Sequence, residues 1–165
     1  MWNSAWPSQE IVNLKASLAA LEKLVKDTNP SRGDDIDHAL ARFLVVRTCG
    51  YLEQVVEICC KSYLKSKSDF RSSSYGASWL GRGRNPSRES LVSLIRRFDG
   101  AWADELDQVL IKDDERLGRE LDFLVDRRNK IAHGLNEGIG IRKALDLVEP
   151  AVTIGDWFIK RMDPR

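Results

Sequence analysis

Apolar residues recur along this chain in steps of three and four, the period of a helix face, and no strand-like alternation appears. Ile11, Leu14, Leu18, Leu21 and Val25 form one such stripe, predicting a helix that ends near the Asn29-Pro30 break. Asp34 and Asp35 then offer caps and N-terminal negative charge to a long helix from about Ile36 to Lys65. Its middle, Phe43 to Cys60, is apolar on nearly every side and suits the centre of a bundle. Residues 66–85, rich in Ser, Gly and Arg, show no clear period and read as a long loop. Asn85-Pro86 restarts a helix, with Asn85 as cap and Pro86 in the first turn, carrying Leu91, Leu94, Ile95 and Phe98. A short helix around Ala101 to Leu110 follows Gly100, and another runs from about Asp113 to His133, stopped by Gly134. Beyond Gly138-Ile139-Gly140 a last amphipathic segment spans Lys143 to Met162, bent or restarted at Pro150. The expected fold is all-α, a bundle of five to six helices around a long central one.

Composition narrows the class. With 165 residues, 42% of them apolar, one core can be filled without staples, so a single domain over 1–165 is expected, its helical core about 10–162. No apolar run approaches the length of about 20 that crosses a bilayer. The opening residues 1–7 lack the basic start and apolar stretch of a secretory signal, so a cytoplasmic location without a membrane partner is expected. Cys49, Cys59 and Cys60 form no CxxC pair and only two histidines are present, which argues against a Cys/His zinc site. The acids sit at helix-surface spacings, and neither a metal nor another cofactor is expected. Net charge is +1, yet between Lys61 and Arg97 nine Lys or Arg face two acids, so that stretch carries +7 and the remainder −6.

The candidate chemistry lies before Gly134. Leu117, Leu121, Leu124, Ile131 and Leu135 define an apolar stripe with Arg128 at its centre. Burying an unpaired guanidinium costs several kcal/mol, so an anion or a polar group should face Arg128. His133 follows five residues later, about 140° around an ideal helix, while Asn129 shares the His133 side and is placed to orient the imidazole. The end of the helix, with its negative dipole pole, favours a cation at His133 and suits proton donation. Such a pair fits metal-free RNA cleavage: a 2′-hydroxyl attacks the adjacent phosphate, a histidine moves protons and an arginine stabilises the non-bridging oxygens. Acid and base are both useful, and one chain offers one well-placed histidine. Two chains packed along the Arg128 stripe supply two, so a symmetric homodimer is expected.

The string Arg127-Arg128-Asn129-Lys130-Ile131-Ala132-His133-Gly134, late in an all-α chain, resembles the HEPN superfamily, whose motif is Arg, four to six residues, then His. The central text Val46-Arg47-Thr48-Cys49-Gly50-Tyr51-Leu52-Glu53 is similar to the RiboL-PSP-HEPN subgroup, and the resemblance covers roughly residues 10–162. It implies a dimeric, metal-independent endoribonuclease with a cleft shared between protomers, of the kind found in toxin, anti-phage and RNA-processing systems. Arg128 carries over as phosphate binder, Asn129 as the polar motif residue and His133 as the proton-transfer residue. Some members of the superfamily are inactive and serve as binding or assembly modules. An antitoxin or defence-complex protein is accordingly a possible partner beside RNA.

Plainer readings stand beside these. His133 can cap a helix by bonding a terminal carbonyl, and Arg128 can pair with Glu53 or Glu57. Arg47, on the stripe of Ile36, Leu40, Phe43, Leu44 and Tyr51, can line the cleft or form a structural ion pair, and Glu53 can support Arg128 from behind. In the 66–85 segment, Arg71, Tyr75, Trp79, Arg82 and Arg84 interleave rings with cations, a combination that stacks bases and neutralises phosphates of single-stranded RNA. The alternative there is a solvated loop whose Trp79 tucks into the bundle.

Overall fold

The computed structural model describes residues 4–27, 33–80, 85–135 and 138–165, and among these every regular element is a helix. Helix α1 (Gln9–Lys26) starts at Ser8, whose hydroxyl accepts from the Ile11 amide, and buries Ile11, Leu18 and Val25. Helix α2 (Asp34–Lys67) opens with Asp34, Asp35 and Asp37 in its first turn and ends with Lys65 and Lys67, charges that oppose the helix dipole at both ends. Leu44, Val45, Leu52, Val55 and Cys59 are buried along it, and α1, α3, α5, α6 and α7 all pack on it. The central helix expected from about Ile36 to Lys65 is therefore the axis of the bundle. One strip of it stays uncovered: Ile36, Phe43 and Val46 are 54%, 52% and 36% exposed, and Arg47 lies exposed among them. No helix among the described residues is long and apolar enough to cross a membrane.

Three boundaries correct the sequence expectations. The stretch read as a loop is in large part helix α3 (Phe70–Leu80). Asp69 starts it by accepting from the Arg71 and Ser72 amides at 2.9 and 3.2 Å, and Gly76 lets it lie close on α2. A Cβ at position 76 would meet Leu64 Cδ1 at 2.9 Å. Helix α4 (Arg88–Arg96) is capped by Ser87, not by Asn85, with Ser87 Oγ accepting from the Ser90 amide at 3.3 Å. The two helices expected on either side of Lys112 are a single element, α5 (Gly100–Ala132), capped by Asp99. Within it Asp114 and Glu115 take φ of 62° and 60°, a left-handed step costing roughly 1–2 kcal/mol per residue. The charge run at 112–116 is thus a junction inside a helix, which the sequence pattern registers as a start.

The chain closes with α6 (Ile141–Asp146) and α7 (Val148–Arg161), which restarts after Leu147 and carries Pro150 in its first turn. Trp6 Nε1 donates to the Ile159 carbonyl at 2.8 Å, and Trp157 Nε1 to Glu105 at 3.0 Å, tying both chain ends and α5 to α7. Trp102 stands edge-on to Tyr63 at 5.5 Å, while Trp2 lies outside the described residues. Phe158, Leu106, Leu110, Leu124 and Ile154 are fully buried at the core centre.

The core thiols carry a pH signature. Burial pushes the Cys59 thiol strongly upward, and burial first, then the Glu53 carboxylate, pushes Cys49 up to about 12. Below pH 9 both thiols are protonated whether the chain is folded or not, and they add no pH dependence. Above it the unfolded chain ionises while the native one does not, so stability falls as pH rises from 9 towards 12. On the order of 1–2 kcal/mol per thiol should be lost by about pH 10.5. Urea midpoints at about pH 8 and about pH 10.5 measure this; coincident midpoints contradict it.

Candidate functional site

Arg128 sits about one turn before the end of α5, on the side that Leu121, Leu124 and Val125 bury. Its guanidinium is held from three places. Nη2 donates to Glu53 Oε1 of α2 at 2.9 Å, and Nη1 donates to Asn85 Oδ1 at 3.0 Å and to Asn129 Oδ1 at 3.1 Å. Of the two acids that the sequence offers, Glu53 takes the arginine and Glu57 pairs with Lys61. Both members of the pair remain partly wet, Arg128 30% and Glu53 23% exposed. A guanidinium has five N–H donors, so Nε and one Nη2 hydrogen stay available to a ligand, with no partner among the described residues. Beneath the pair, Cys49 Sγ lies 3.8 Å from Glu53 Oε1. With its thiol held protonated, Cys49 is no nucleophile.

His133 is the C-cap of α5 and is exposed. The helix end is closed without its side chain: the Gly134 amide donates to Ile131 O and the Leu135 amide to Lys130 O, both at 3.0 Å, with Gly134 at φ 71°. This is the six-to-one, five-to-two pattern that a glycine in the left-handed conformation permits. The imidazole makes no hydrogen bond among the described residues, so it does not act as a side-chain cap. Asn129 differs from expectation as well. Its Oδ1 turns to Arg128 and does not orient His133.

Five residues of helix separate Arg128 and His133 by about 140° in azimuth, so one points inward to Glu53 and the other outward. A single chain therefore presents them on different sides of one helix end. Arg47 stays outside this cluster, on the uncovered strip of α2, with no ion pair among the described residues. Arg71 is exposed; Tyr75 and Trp79, 69% and 47% exposed, stand edge-on with centroids 6.1 Å apart. Arg82 and Arg84 lie outside the described residues.

Asn85 is the residue that sequence reasoning assigned elsewhere. Its side chain is released from capping because Ser87 does that work, and nothing in its spacing from Arg128 signals the contact. A cleft of about 120 Å³ opens beside it, lined by Glu53, Val56, Leu80, Asn85, Leu91 and Leu94 among others.

The RiboL-PSP-HEPN family model matches residues 9–156. The chain belongs to the RiboL-PSP-HEPN family. In this HEPN chain the Arg-Asn-x-x-x-His motif occupies residues 128–133, at the end of a helix that packs on the bundle axis. No curated protein and no solved structure matches it.

Proposed function

We propose that this HEPN chain is a metal-independent endoribonuclease acting as a homodimer. The observation that carries the reading is the guanidinium of Arg128, fixed by Glu53, Asn85 and Asn129 with two N–H groups left over, on the same helix end as an exposed imidazole that no bond among the described residues occupies. In the reaction the ribose 2′-oxygen attacks phosphorus and gives its proton to an imidazole. The P–O5′ bond breaks, and the departing oxygen takes a proton from a second imidazole. Arg128 receives the charge that gathers on the non-bridging oxygens. Cyclic 2′,3′-phosphate and a 5′-hydroxyl result.

The second imidazole comes from a second copy. The uncovered α2 strip of Ile36, Phe43 and Val46 leads to this site, since Val46 and Glu53 lie two turns apart on one side of α2, and Leu135, 54% exposed, extends apolar surface past His133. Closing two such strips together buries them and gathers two copies of the motif. A nuclease of this kind harms its own cell unless restrained, which fits a toxin or anti-phage setting with an inhibitory protein partner.

Single-stranded RNA incubated with the purified protein in EDTA should yield cyclic-phosphate ends, and an all-deoxy strand should stay intact. Cleavage of the deoxy strand, or cleavage that needs a divalent ion, contradicts the mechanism. The mass in solution should be twice the 18.7 kDa of the chain, and Phe43→Glu should bring it to one chain and abolish cleavage together. A second reading, a non-catalytic dimerising or RNA-binding module, draws on the three side-chain bonds that already engage Arg128. It expects RNA binding or dimerisation without turnover in every buffer.

A further inference from the structure

Away from Arg128 a second hollow, of about 400 Å³, lies between α3 and the end of α4. Leu64, Leu80, Leu94 and Phe98 form its apolar surface, Tyr75 and Trp79 stand at one side, and Arg97 is on its rim. Leu80 and Leu94 also line the cleft that reaches Asn85 and Glu53, so the two hollows adjoin, with the Arg128 partners at one and the aromatic pair at the other. Helix α3 buries none of its residues fully, and the rings of Tyr75 and Trp79 are held at its surface. Arg97 is exposed and has no carboxylate partner among the described residues, whereas its neighbour Arg96 pairs with Asp104. This hollow also lies in the part of the chain, Lys61 to Arg97, that carries the +7 excess.

We propose that the hollow is a base-binding subsite for single-stranded RNA: one unstacked base lies against Trp79 and Tyr75, and its phosphate meets Arg97. The inference rests on the ribonuclease reading and names what lies along the strand from the cleaved bond. Three features select this occupant. Partly exposed aromatic rings accept any base by stacking, a cation with no carboxylate partner among the described residues suits a phosphate, and the two leucines common to both hollows set the subsite next to the cleft at Glu53 and Asn85. A duplex hides its base faces and is excluded. Arg97, Leu64 and Phe98 have no place in the RNA-binding set that the sequence suggests; the fold brings the end of α4 and Leu64 of α2 to the same hollow as α3.

Fluorescence anisotropy with a labelled 2′-O-methyl single strand, which binds but cannot be cut, tests the subsite. Trp79→Ala should weaken binding about 5- to 100-fold, the usual span for losing one stacked base, and Trp79→Phe should retain most of the affinity. Tyr75→Ala, at a more exposed ring, provides a second variant should Trp79→Ala fail to melt cooperatively. Arg97→Ala should reduce both the affinity and its salt dependence, by about 0.7 in the log–log slope for one phosphate contact. Unchanged affinity in folded Trp79→Ala and Tyr75→Ala overturns the subsite, while loss of cleavage in His133→Ala would still support the nuclease. Conversely, a wild type that cuts no RNA but loses affinity through Trp79→Ala fails as a nuclease and keeps the subsite. If the wild type binds no single strand, the subsite is overturned.

Discussion

His133→Ala is expected to slow RNA cleavage by about 10²- to 10⁴-fold, the range over which a positioned proton-transfer group contributes. It should do so without unfolding the protein. The imidazole is exposed, bonds to no other described group, and leaves the closure of α5 to the amides of Gly134 and Leu135. Surface changes of that kind move stability by roughly 0.5 kcal/mol or less. Single-turnover cleavage of a substrate with one ribose, set beside a thermal melt, separates the two quantities. A variant that melts as the wild type does and cuts at the same rate removes His133 from the chemistry.

Arg128→Ala should lose both activity and stability, and the two losses can be pulled apart. Removing the guanidinium leaves the Glu53 carboxylate facing Cys49 with no counter-charge, and takes the donor from Asn85 and Asn129. A fully buried pair broken in this way costs about 3–5 kcal/mol. Here solvent reaches both partners, which lowers the expectation to about 1–2 kcal/mol. The rate should fall by about 10²- to 10³-fold, as for other groups that stabilise an oxyanion. Adding Glu53→Gln to Arg128→Ala removes the stranded charge and should restore most of the stability. It should restore none of the rate. If the double variant recovers cleavage, Arg128 serves only to hold α5 against α2.

What the sequence could and could not reveal follows from the kind of information each feature needs. The α1 stripe, the axial position of α2 and the stop at Gly134 depend on local period and backbone preference, and they are visible in the letters. Arg128 in an apolar row announces that a polar partner must exist, and Glu53 is within the small set of acids able to answer. Helix α3 was hidden because serine and glycine are weak helix formers. Its stability comes from the Asp69 cap and from contact with α2, and contact is not a local property. Asn85 was hidden for a similar reason. Its type and position suit a helix cap, and only the geometry of Ser87 shows that the role is filled and its amide turned elsewhere. Asn129 shows the limit of spacing arguments: i, i+4 geometry permits a contact with His133, and a nearby cation won.

The three sulfhydryls have a further meaning. Cys49, Cys59 and Cys60 are all shut away from solvent beneath the helices, and none is bridged. Peroxide and disulfide exchange act on exposed thiolates, and here all three sulfurs are buried. Oxidants therefore have no cysteine to reach while the bundle is folded.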